Sequence, residues 1–180
     1  MGISRLGLVE QLRESEASSL PGGSRPDDPP VPYLTTFGGL MDKPALHAFM
    51  LRSRYGVVSS LAADGTPQSA LVGIAVTPDL EVVFDTLRTT RKYANLMARP
   101  ACSVVLWWGG EQTVQLDGIG IEPSGNRLEF YREAYFRAWP DGRDRLAWPG
   151  IVHLVVEPKW IRAVDYDRSP PLLEEFRCPE

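Results

Sequence analysis

From residue 56 onward, apolar and polar residues alternate over most of the chain with the two-residue period of half-buried strands. Residues 56–63 (GVVSSLAA) and 67–77 (PQSALVGIAVT) flank Asp64-Gly65-Thr66, a hairpin turn sequence. Pro78-Asp79 makes the next turn, into a strand over 80–85. Residues 101–108 (ACSVVLWW) lead through Gly109-Gly110 into 111–122 (EQTVQLDGIGIE), and 151–157 and 159–166 read as two final strands.

Helical spacing is rarer. Asp42 followed by Pro44 starts a helix with Leu46, Phe49 and Met50 on one face. Tyr93, Ala94, Leu96 and Met97 recur over 90–98, which Pro100 closes, and Ser124 opens a helix over 124–138 carrying Leu128, Tyr131, Tyr135 and Phe136 on one side. A short helix is also expected over Ser4 to Ser15. Residues 17–32 after it are rich in Pro, Gly, Ser and Asp, suited to a linker or extended arm rather than a core. Antiparallel hairpins with a few peripheral helices predict a mainly β chain, closed into a small barrel over 41–168. An arm (1–40) would precede that barrel and a tail (169–180) follow it.

Composition narrows the function. With 180 residues, 43% hydrophobic and 23% charged, the chain suits one globular domain with a sizeable core. A pI near 5.3 argues against nonspecific nucleic-acid binding. No run is long enough to span a bilayer, and no secretory signal is visible, so the expected location is cytoplasmic without membrane association. Cys102 and Cys178 make neither a disulfide framework nor a zinc spacing, and His47 and His153 have no HxxxH or HxH partner. Serine-hydrolase, Walker-loop and GxGxxG motifs are missing.

The informative stretch is 82–99, VVFDTLRTTRKYANLMAR, where a strand runs straight into a helix. Thr89 and Thr90 are candidate N-caps, and the first turn carries Arg91 and Lys92 with Arg88 just upstream. Cations at a helix N-terminus oppose the macrodipole, although this chain of net charge −4 had acids to spare. An anion on the open backbone N–H groups would reverse that penalty, with threonine hydroxyls and basic side chains closing around it. Solvated basic residues on a surface helix are the competing account.

Two strings carry a resemblance: the DGxP hairpin at Asp64, Gly65 and Pro67, and F-x-T-x₃-[ST]-R-K-x₂-N-L at Phe84, Thr86, Thr90, Arg91, Lys92, Asn95 and Leu96. Together with Arg99-Pro100, QTVQLDG and PKWIRAVDY, they make residues 43–168 resemble the FMN-binding split barrels of the pyridoxamine 5′-phosphate oxidase-like superfamily. The resemblance implies an antiparallel split-barrel homodimer with FMN in clefts between the subunits. It implies that Thr86, Thr90, Arg91 and Lys92 hold the FMN phosphate, and that Ser69, Ala70, Leu71 and Val72 run along the isoalloxazine ring. Gln112 or Thr113 would reach in from the partner subunit; a shift of one residue exchanges strand faces, and both stay open here. Trp160, Arg162 and Tyr166 stand where aromatic and basic residues approach the cofactor in such proteins.

The departures are informative too. Oxidases that act on pyridoxamine phosphate resemble this chain over 65–92 but have arginine at the position of Ala70 and lysine at that of Ala75, and they end in an R-x-H-x-R-type pattern. This chain ends in DRSPPLLEEFRCPE. Without those cations a dianionic substrate loses several charge-assisted hydrogen bonds, so vitamin B6 phosphate oxidation is not expected. Two readings follow. One is a flavin-dependent oxidoreductase using NAD(P)H or another donor on a small planar molecule, stacked on Trp107, Trp108 or Trp160. Barrel packing is the simpler account of Trp107 and Trp108. The other is a flavin-binding carrier or sensor without turnover. Related split barrels use a deazaflavin coenzyme or bind haem. A haem reading needs His47 or His153 in the cleft.

Overall fold

The computed structural model describes residues 41–178 together with the backbone of residues 35–37, all within the unit Val31–Glu180. The helix expected over Ser4 to Ser15 and the arm over 17–32 lie outside the described residues.

Among the described residues thirteen elements follow one another: strand β1 (Thr35–Phe37), helix α1 (Lys43–Met50), strands β2 (Tyr55–Leu61), β3 (Pro67–Gly73), β4 (Ala75–Val76) and β5 (Val82–Leu87), helix α2 (Arg91–Ala98), strands β6 (Ala101–Trp107) and β7 (Gln112–Ile121), helix α3 (Gly125–Ala138), a 3₁₀ segment (Pro140–Ala147), and strands β8 (Ile151–Asp165) and β9 (Leu172–Arg177). Every pairing is antiparallel. The fold is mainly β, a split barrel with helices at its periphery.

Pairing closes the barrel through an interruption that alternation alone does not show. The stretch read as one strand over 67–77 breaks at Ile74, whose N–H donates to Arg54 O (2.9 Å). Before the break β3 pairs with β2; after it β4 pairs with β5. The circuit β2, β3–β4, β5, β8, β7, β6 and back to β2 is thereby complete. Its interior holds Val58, Ile74, Val82, Phe84, Leu106, Val114, Leu116, Leu154 and Ile161.

The two strands expected over 151–157 and 159–166 are one strand, β8. Pro158 cannot donate to a ladder, but the register with β7 skips Lys159, and a bulge is where a strand tolerates proline. There β8 changes its second neighbour, from β5 (through Val156) to β9 (from Trp160). The sheet therefore runs past residue 168. Residues 172–177 pair with β8 and bury Leu172 and Phe176, and residues 35–37, read as part of the arm, pair with β9.

The three helices of the described residues seat on this frame. Asp42 caps α1 by accepting from Ala45 N (2.8 Å), and Leu46 and Met50 enter the core. Helix α3 lays Tyr131, Tyr135 and Phe136 over Ala75, Val83 and Val155, covering the outer face of β4, β5 and the first half of β8. Helix α2 inserts Leu96 against Gly120, where a Cβ would meet the Leu96 side chain at 2.9 Å.

Candidate functional site

Strand β5 delivers the chain to the mouth of the barrel, and Thr90 turns it into α2. Thr90 Oγ1 accepts from Tyr93 N (3.4 Å) and donates to Leu87 O (2.9 Å). With that hydrogen used, Thr90 Oγ1 is the acceptor in its 3.1 Å contact with Thr86 Oγ1. Thr86 is buried behind Thr90 and holds the cap rather than facing solvent. The backbone N–H groups of Arg91 and Lys92, first in the helix, have no intrahelical acceptor.

Beside that helix end lies a cleft of about 310 Å³ lined by Ser60, Gln68, Ser69, Ala70, Thr90, Arg91 and Lys92. No carboxylate lines it. Among the described residues, Arg91 and Lys92 have neither an ion pair nor a hydrogen bond from their side chains. Burial pulls the Lys92 ammonium below its ordinary pKa, with the Asp85 charge opposing that shift, so an anion here would compensate a desolvated cation. Arg88 is not part of this group: it turns to Glu122 and to Tyr93 Oη (2.7 Å), and Tyr93 Oη donates to Glu122 (2.8 Å).

The β3 residues split by parity. Gln68 and Ala70 lie on the face shared with buried Val72, while Leu71 is 68% exposed on the opposite face. Ser69, on that outer face, shares a 2.8 Å hydrogen bond with Ser59. On the side away from β2, β3 has no paired strand among the described residues.

The other predicted site residues lie elsewhere in the same chain. Gln112 belongs to the inward face of β7: it accepts from Trp108 Nε1 (2.8 Å) and donates to Asp165 (3.1 Å). Thr113 takes the outer face, opposite Trp107 in β6. Trp160 donates to Glu175 (3.4 Å) and Arg162 pairs with the same carboxylate (3.8 Å), both on the outer face of β8. One cross-strand row on this outer face runs Leu71, Val57, Val105, Gln115, Arg162. Together with Tyr55 and Trp107, its apolar members are exposed, whereas the equivalent face under α3 is covered.

The histidines are in neither region. His153 is buried, edge-on to Tyr135 and Phe136, with no hydrogen bond to either ring nitrogen; burial pulls its pKa down to about 4. His47 donates to Val76 O (3.3 Å) and lines a larger hollow of about 520 Å³ between α1 and α3, together with Arg54 and Arg137. His47 and Arg137 lie in the last turns of their helices, and Arg54 donates to Ala138 O at the end of α3, so the macrodipoles account for them without a ligand. Compared with that hollow, the smaller cleft brings unpaired cations to a helix N-terminus. Among the described residues no His/Cys/Asp/Glu group could hold a metal ion, and no helix is long and apolar enough to cross a membrane.

Two lining residues, Ser60 and Gln68, were not among those singled out from sequence. The signal for Ser60 was its parity: it follows Val58 at an inward position where an apolar residue is expected, and it is 3% exposed.

Comparison with known proteins agrees with this architecture. The family model for pyridoxamine 5′-phosphate oxidase matches residues 42–164. A heme binding protein from Mycobacterium smegmatis superposes with TM-score 0.63 at 18% identity, covering 73% of this chain and 56% of its own. An Agrobacterium tumefaciens protein of unknown function gives 0.60 at 19% identity, covering 76% and 61%. This chain thus spans less than two thirds of either. A pyridoxamine 5′-phosphate oxidase-related, FMN binding protein from Nostoc punctiforme gives 0.51 at 12% identity, covering 69% and 81%. At these identities the likeness is one of fold. No curated protein matches the sequence.

Proposed function

The chain belongs to the pyridoxamine 5′-phosphate oxidase family, and from that premise we propose that it binds FMN and acts as a flavin-dependent oxidoreductase. The observation that carries the reading is the pair Arg91 and Lys92: unpartnered cations at a capped helix N-terminus, in a cleft without carboxylates. The donor set fits a phosphate monoester, with open backbone N–H groups, a guanidinium and an ammonium converging on one end. Bound flavin would supply the redox chemistry; the chain's residues bind and orient it. The unpaired edge of β3 at Ser69, Ala70, Leu71 and Val72 would face the ring system.

A homodimer is part of the proposal. The row from Leu71 to Arg162 is apolar and exposed at one end and carries the Arg162–Glu175 pair at the other, while the cleft lies beside the Leu71 end. Two-fold apposition of this face would bring Thr113, Trp160 and Arg162 of one subunit toward the β3 edge of its partner and cover the apolar patch.

The substrate proposed is not pyridoxamine phosphate. Ala70 lines the cleft without a charge and Ala75 packs beneath α3 with Val83 and Tyr131, so neither position supplies the cation that oxidases acting on pyridoxamine phosphate carry there. Neither histidine lines this cleft, so we read it for a flavin rather than for haem. A deazaflavin coenzyme could use the same phosphate clamp, and the visible spectrum separates it from FMN.

The test is the absorption spectrum of freshly purified protein, followed by FMN titration and steady-state NADH and NADPH oxidation with quinone and nitroaromatic acceptors. Flavin bands with turnover support the reading, and flavin bands without turnover would leave a carrier or sensor. A colourless protein that gains no bands with FMN would refute it.

A further inference from the structure

Asn95 lies one turn into α2, facing the strands rather than solvent. Its Nδ2 donates to Ser60 Oγ (3.1 Å) and to Gln68 Oε1 (3.1 Å), and those two residues are register partners across β2 and β3. Both hydrogens of the Asn95 amide are thereby used, and both receiving oxygens act as acceptors. What remains on each partner is its donor: the Ser60 hydroxyl hydrogen and the Gln68 Nε2 hydrogens. Neither has an acceptor among the described residues, although Ser60 is 3% exposed and both line the cleft beside Arg91 and Lys92. A buried hydroxyl with an unspent hydrogen on the lining of a cleft calls for an acceptor there.

We propose that Ser60 and Gln68 are ligand-binding residues and that Asn95 is a positioning residue. By donating to both, Asn95 fixes their polarity so that the floor of the cleft presents hydrogen-bond donors. The ligand this selects presents anionic acceptor oxygens to the cleft floor as well as to the cationic helix end, as a phosphate monoester does. The same two bonds tie α2 to β2 and β3, so they also set the distance between the cationic helix end and the β3 edge. The inference rests on the phosphate reading of the cleft and extends it to residues the basic motif does not contain.

The experiment is a double-mutant cycle read with FMN and riboflavin, which differ only in the phosphate. Asn95→Leu and Gln68→Met are nearly isosteric and add no charge. Each is expected to weaken FMN about fivefold to tenfold and riboflavin less, from the usual size of a hydrogen bond to a charged group. Because Asn95 acts through Gln68 as well as through Ser60, the double variant should weaken FMN by less than the product of the single effects. Should either variant melt below the assay temperature, Ser60→Ala, which removes one oxygen, is read in the same way. If the wild type binds FMN and riboflavin equally, the phosphate reading itself has failed. If the wild type prefers FMN but the variants keep that preference, or their effects multiply, the positioning role is overturned and the phosphate site stands.

Discussion

Thr86 and Thr90, four residues apart at the junction of β5 and α2, bring their hydroxyls within 3.1 Å of each other. Thr90 is committed to the helix cap, so Thr86 supports the site from beneath it. Thr86→Val keeps the volume and removes that bond. FMN affinity should fall by about threefold to tenfold, the worth of one hydrogen bond of roughly 1 kcal/mol. Isothermal titration would show it, and an unchanged affinity would mean the cap holds without Thr86.

The exposed face from Leu71 to Trp107 gives the second prediction. Leu71 is 68% exposed in the isolated chain, so a charge there costs the folded monomer little but opposes burial in an interface. Light scattering should find the wild type at twice 20.0 kDa and Leu71→Glu at 20.0 kDa, with FMN retention reduced in the variant. A wild type of 20.0 kDa at micromolar concentration would remove the dimer from the account.

Much of this fold was legible because its strands alternate and its turns are written in Gly, Pro and Asp. The basic helix start was legible for another reason: cations where the macrodipole disfavours them are conspicuous. What alternation could not show was long-range pairing. Phe176 is fully buried and Leu172 nearly so, but LLEEFR presents its inward face as Leu, Glu, Phe, with a carboxylate in the middle, and reads as a polar tail. The break at Ile74 was hidden because its cause, the carbonyl of Arg54, lies 20 positions away. Gln112 and Thr113 could be told apart only by the bonds from Trp108 and to Asp165, which hold Gln112 inside.

His153 predicts an acid limit to stability. Its ordinary pKa of 6.5 in the unfolded chain falls to about 4 in the fold through burial, with Asp85 opposing and Arg132 and Arg145 adding to the fall. Between those values the unfolded chain binds more protons, so this contribution is complete above pH 6.5 and is lost as pH falls toward 4. The loss amounts to roughly 3 kcal/mol. Urea unfolding of wild type and His153→Leu at pH 7 and pH 4.5 isolates it: the wild type should lose more stability between the two. Equal losses would assign the acid limit to carboxylates instead.

FMN and riboflavin binding to the wild type and to Arg91→Ala, compared by fluorescence quenching, reads the phosphate clamp itself. If Arg91 closes on a phosphate at the N-terminus of α2, its removal breaks a charge-assisted contact of roughly 1.5–3 kcal/mol, on the order of tenfold to a hundredfold in dissociation constant. FMN should show that loss and riboflavin almost none, and the apoprotein should be no less stable than the wild type, because a cation is removed from a positive helix end. Equal effects on the two ligands, or no effect on either, would contradict it.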